Sequence, residues 1–125
     1  MLSVIALCIG GLQLLAFGIW AIIDIQGMMG LVGITLSNPM AVIEARAFYG
    51  GAELAAGGLM MLGAIKPRWR EFALVLMASM FFAIGLTRTV GMMGVADPGT
   101  FTWVALAVEA LCVALAVLAL KSRSS

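Results

Sequence analysis

The sequence predicts an all-α integral membrane protein, an antiparallel four-helix transmembrane bundle. Three observations carry this. Of the 125 residues, 64% are hydrophobic and 10% are charged, whereas a soluble domain runs about 45–50% apolar and about 25% charged. The mean hydropathy is +1.18. The apolar residues also gather into four runs, each near the roughly 20 helical residues that cross a hydrocarbon core of about 30 Å. There is too little polar surface for a soluble enzyme, a nucleic-acid binder or a disordered tail. Seven Lys/Arg against six Asp/Glu leave a net charge of +1, so no polyanionic partner is implied. The absence of His removes His-ligated haem, His-based zinc sites and Ser-His or Cys-His catalysis. A single transmembrane domain is expected over residues 1–125.

The first span is expected over about 2–23, with only Ser3 and Gln13 as polar breaks. It reads as a true span, since it lacks the basic start and the small-residue cleavage site of a signal peptide. The second is expected over about 39–65. Ser37-Asn38-Pro39 supplies a polar cap and a proline at the first helical position, where a missing N–H removes no bond. Lys66-Pro67 ends it. The third is expected over about 72–93, and Asp97-Pro98-Gly99-Thr100 then forms a turn with capping residues. The fourth is expected over about 101–120, followed by a polar tail. Residues 24–38 stay apolar (Met28, Met29, Leu31, Val32, Ile34), so an interfacial turn or short helix on the bilayer is expected there.

Orientation follows from the basic residues. Lys66, Arg68 and Arg70 in one connection and Lys121 and Arg123 in the tail lie on the side of the N-terminus. Both termini are therefore expected in the cytoplasm, with Asp24, Glu44 and Asp97 outside. Trp69 reads as an anchor on the basic side, and Trp20 and Trp103 as anchors on the outer side.

Three ionisable residues fall inside spans: Glu53, Arg88 and Glu109. A charge at mid-membrane costs roughly 2.5–3.5 kcal/mol on insertion scales, so such residues normally face inward and pair. By helical rise they sit about 8–12 Å from the outer ends of their spans, in one layer. Helical spacing adds Arg46, Tyr49, Gly50 and Gly57 to the Glu53 face, and Gln13 to a face of the first span. The expected site is thus Glu53, Glu109, Arg88 and Arg46, with Tyr49 and Gln13 beside them. It can serve as structural glue, as an outward-opening polar pocket for a small amphipathic molecule or lipid, or as a carboxylate pair for acid–base chemistry. Without a nucleophile or cofactor motif the reading leans away from an enzyme.

A stripe of small residues, Ala47, Gly51, Ala55 and Gly58, lies away from Glu53; it suits packing within the bundle or a dimer seam, and packing within the bundle is expected. Gly27-Met28-Met29-Gly30 and Gly91-Met92-Met93-Gly94 repeat one motif, as a diverged duplication would. Thioethers can hold Cu(I), but no Cys or His accompanies them on that side. No metal, other cofactor or nucleic acid is expected. Cys8 and Cys112 read as small buried hydrophobes.

The run Arg46-Ala-Phe-Tyr49-Gly50-Gly51-Ala-Glu53-Leu54-Ala-Ala-Gly57 resembles the Arg-x-x-Tyr-Gly-Gly-x-Glu-Leu-x-x-Gly pattern of the bacterial membrane proteins grouped as domain of unknown function 4345. Gly85-Leu-Thr-Arg88-Thr-Val-Gly91 and a glutamate in the fourth span, Glu109, are similar to that family as well. In architecture the chain also looks like the four-helix DoxX-like proteins. The resemblance implies a four-helix protein of the bacterial inner membrane and puts Arg46, Tyr49, Glu53 and Arg88 on motif positions. It implies no activity. The expected function is binding of an amphipathic molecule or lipid in an outward-facing pocket. The alternatives are an accessory or assembly subunit of a larger membrane complex, or, third, a transporter. Expected partners are membrane lipids, with a membrane protein or a second copy of the chain as further candidates.

Overall fold

The computed structural model describes residues 1–124. Four helices are long and apolar enough to cross a membrane, and the chain is a multi-pass four-helix bundle. Helix α1 is Leu2–Ile23, and α2 is the short Ile25–Gly30. The remaining spans are α3, Pro39–Ile65, α4, Pro67–Met92, and α5, Thr100–Ser124. Helix α1 packs most extensively on α3, and α4 on α5, while α3–α4 and α1–α5 contacts close the ring.

The helix ends follow local chemistry. Asn38 Oδ1 accepts the Ala41 N–H at 2.9 Å, and Pro39 opens α3, as expected from a capping residue followed by proline. Lys66 alone joins α3 to α4. Its extended backbone (φ −107°, ψ 110°) is the conformation that a following proline favours. Residues 66–71, expected as a loop, are thus mostly the first turn of α4. Arg70 on that turn donates from Nε to the Gly63 carbonyl at 3.1 Å and from Nη2 to the Ala64 carbonyl at 2.9 Å. Carbonyls at the end of α3 gain donors that the helix itself cannot supply. At the C-terminus, α5 runs on through residues expected as a short polar tail, to Ser124.

Two separate cores hold the bundle. The larger lies toward the basic end and includes Leu7, Leu14, Met60, Leu74, Met77 and Cys112. Cys8 packs against it, and both cysteines are free. The smaller lies at the other end, where Ala21, Ile25, Met28 and Met29 are buried against Phe17, Trp20, Val42 and Tyr49. Asp24 Oδ1 accepts the Gly27 N–H at 3.0 Å and starts α2. The expected interfacial segment is therefore a cap folded onto α1 and α3. Leu31, Val32 and Ile34 remain exposed. The two Met-Met motifs are not equivalent. Met28 and Met29 are buried in a helix, whereas Met93 is exposed at the end of α4.

Backbone contact defines the α1–α3 seam. A Cβ on Gly57 would lie 2.9 Å from the Gly11 carbonyl oxygen, and one on Gly18 would lie 2.9 Å from Leu54 Cγ. Small residues permit this approach, the means by which helices associate where lipid offers no hydrophobic drive. The seam uses Gly50 and Gly57, both buried. The stripe expected to pack inside the bundle faces outward instead. Ala47, Gly51, Ala55 and Gly58 are exposed, and a Cβ at Gly51 or Gly58 would meet nothing within 4 Å. The glycines of α1 decide between the two faces, because they lie opposite Gly50 and Gly57.

Gly57→Ala is expected to destabilise the bundle by about 1–3 kcal/mol, since the contact is backbone and cannot yield. Gly58→Ala should leave stability unchanged or slightly raised. Equilibrium unfolding in mixed micelles measures both.

Candidate functional site

Arg88 on α4 and Glu109 on α5 form the ion pair at the centre of the site. Arg88 Nε donates to both Glu109 oxygens, at 2.9 and 3.1 Å, and Nη2 lies 2.7 Å from Oε1. Such a fork on a carboxylate is among the stronger charge-assisted arrangements. The two partners differ in burial, with side chains 29% and 7% exposed respectively. Gly85 on α4 faces the Glu109 carboxylate. A Cβ there would stand 3.5 Å from Glu109 Oε2, so the carboxylate lies against nearly bare helix.

The pair sits where apolar packing ends. On α4 no residue beyond Phe81 is buried, and on α5 none before Glu109 is buried. In the half of the α4–α5 hairpin away from the basic end, a charge-assisted contact marks the limit of the core.

Glu53 lies elsewhere in this scheme. It is half-buried on α3, and its Oε2 is buried with no hydrogen-bond partner among the described residues. The expected joining of Glu53 to Arg88 and Glu109 is not found: among the described residues the ion-pair partner of Arg88 is Glu109. Arg46 is exposed and makes no ion pair among the described residues. Tyr49 packs on the smaller core and sets its ring edge-on to Phe48, 5.7 Å between centroids. Gln13 reaches α5, where the buried Cys112 thiol donates toward its Oε1 at 3.9 Å.

A π-helical segment explains the position of Arg46. Residues Arg46–Ala52 form wider turns than the α-helix on either side. The α-helical count that put Arg46, Tyr49 and Glu53 on one face does not hold across it. Sequence reasoning missed this feature. The paired glycines at 50 and 51 were the available signal, since glycine tolerates irregular backbone, but they fit a close-packed helix equally well.

Two hollows flank the ion pair. One, of about 400 Å³, is lined by Ala83, Ile84, Thr87 and Arg88. The other, of about 500 Å³, runs between α4 and α5, with Glu109 among its lining residues. Glu53 and Tyr49 line neither. The arrangement thus presents the cation to one hollow and the carboxylate to the other. Among the described residues no group of three His, Cys, Asp or Glu side chains is placed to hold a metal ion.

Arg88→Gln and Glu109→Gln should each lower stability by about 3 kcal/mol, because each strands a charge at membrane depth. The double variant Arg88→Met/Glu109→Leu should recover most of the loss. A double-mutant cycle on unfolding free energies reads the coupling directly.

No curated protein and no solved structure matches the chain. Among family models, the one described as "Domain of unknown function (DUF4345)" matches residues 2–120. Helices α1 to α4, the π segment, the ion pair and α5 as far as Leu120 fall inside that match, and the chain belongs to the DUF4345 family.

Proposed function

We propose that this protein binds a small amphipathic molecule or lipid in the bacterial inner membrane, with Arg88 taking its acidic or carbonyl group. The observation that carries this is the state of the guanidinium. Arginine has five N–H donors and no acceptor. Glu109 engages Nε and Nη2, and among the described residues no acceptor takes the remaining donors of Arg88. The side chain borders an open hollow with Ala83, Ile84 and Thr87. Arg88 lies four residues before Met92, the last residue of α4, about 6 Å inside the span. Donors left idle at that depth are costly, and a phosphate, carboxylate or carbonyl oxygen satisfies them. Glu109 holds the fork in place and neutralises its charge, so an occupant need not supply a full counter-charge.

A second reading is favoured by a different observation. The exposed Ala47, Gly51, Ala55 and Gly58 on α3 offer a surface for close helix approach, as an accessory subunit of a larger membrane complex would require. Native mass spectrometry of detergent-purified protein separates the two. A copurifying acidic lipid or amphiphile, lost in the Arg88→Met/Glu109→Leu variant, supports binding. A stoichiometric protein partner with no small molecule supports the accessory role and overturns the binding proposal.

The same proposal places both termini in the cytoplasm, on the strength of Lys66, Arg68, Arg70, Lys121 and Arg123. A membrane-impermeant thiol reagent applied from the periplasmic side, in a background without Cys8 and Cys112, should label Gly99→Cys and leave Ser124→Cys unreacted. The reverse pattern overturns the orientation.

A further inference from the structure

We infer that the groove between α4 and α5 is a second binding slot, for a neutral hydrocarbon chain that ends in a hydroxyl. It is separate from the Arg88 hollow and carried by different observations. The groove measures about 500 Å³. On α5 it extends from Leu106 to Val117, 11 helical steps or about 16 Å of helix. That is about half of the roughly 30 Å hydrocarbon core, the depth of one leaflet.

Its polarity is graded along this length. Thr89 and Glu109 stand toward one end, while Phe81, Phe82, Val113 and Val117 line the rest. Both polar groups present acceptors. The Thr89 hydroxyl spends its proton on the Gly85 carbonyl, 2.7 Å away, which leaves the oxygen lone pairs. Glu109 Oε2 takes only the longer branch of the forked Nε contact, at 3.1 Å, and Gly85 has no side chain to screen it. Every other side chain lining the groove is apolar or absent. The wall therefore offers acceptors and no donor.

That chemistry selects the occupant. An anion is repelled by Glu109. A plain hydrocarbon leaves the carboxylate without a further partner. A long-chain alcohol or the free hydroxyl of a monoacylglycerol donates to Oε2 and lays its chain over Phe81, Val113 and Val117. The groove lies on the outer side of the hairpin, where Phe82, Leu86, Ala110 and Ala114 are exposed, so the occupant enters laterally from the bilayer.

The test uses the full chain in lipid nanodiscs with hexadecanol, hexadecyl methyl ether and palmitate as probes, read by native mass spectrometry and competition. Hexadecanol should bind once per chain. Its methyl ether, which has no donor, should bind about tenfold more weakly, the worth of one hydrogen bond to a charged acceptor. Ala114→Phe fills the groove from its exposed wall and should abolish hexadecanol binding without affecting palmitate at Arg88. Equal binding of alcohol and ether overturns the inference, as does hexadecanol binding that survives Ala114→Phe. If Ala114→Phe abolishes palmitate binding too, the two hollows are one site and the separate slot is refuted. Loss of palmitate binding in Arg88→Gln bears on the Arg88 proposal alone.

Discussion

The backbone contact between α1 and α3 is the constraint on which the rest of the bundle depends. In water, burial of apolar surface would draw these helices together. In lipid the tails are as apolar as leucine, and cohesion has to come from close packing. Gly11 against Gly57, and Gly18 against Leu54, bring the two axes near enough for dispersion to act along their length. Once that seam is set, α3 presents Met60 and Ala64 to the larger core, where α4 and α5 supply Leu74, Met77 and Cys112. The same seam carries Tyr49 and Val42 to the cap formed by Met28 and Met29.

The second hairpin obeys a different rule. Helices α4 and α5 share the core only near the basic end, and beyond Phe81 and Glu109 their surfaces are not buried. The contact between Arg88 and Glu109 stands at that limit. It joins two helices that already share a turn, so it does little to choose the topology. Its effect is to fix the relative roll of the two helices. That roll determines which side of α4 offers a cation and which side of the hairpin offers a carboxylate.

Much of this was legible in the residues. The spans followed from hydropathy, the start of α3 from Asn38-Pro39 and the corner at Lys66 from Pro67. The pairing of Arg88 with Glu109 followed from the cost of lone charges in a bilayer. Glu53 was singled out on the same grounds, and its isolation was not foreseen. Charge alone permits either glutamate to take Arg88, and the packing of α4 on α5, which sets Glu109 against Arg88 and leaves Glu53 apart on α3, decides between them. The packing face of α3 was illegible for a related reason. Both faces carry small residues at helical spacing, and the choice is made by glycines on another helix. Residues 24–38 showed that they were not a solvated loop, but not that Met28 and Met29 would be buried.

The π segment Arg46–Ala52 has a consequence for how the chain tolerates changes in length. A wide turn accommodates one residue more than an α-helix spanning the same rise. Removing any one residue between Arg46 and Ala52 would let α3 run as uniform α-helix from Asn38 to Lys66. The helix before the deletion would keep its rotation relative to Glu53 and Gly57, because the wide turn had absorbed the extra residue. Val42 and Ala45 would stay in the cap that α2 builds on α1, and only side chains within the segment would change face. A deletion elsewhere in α3 has no wide turn to absorb it, so this is the one stretch of the helix in which loss of a residue leaves both ends in register.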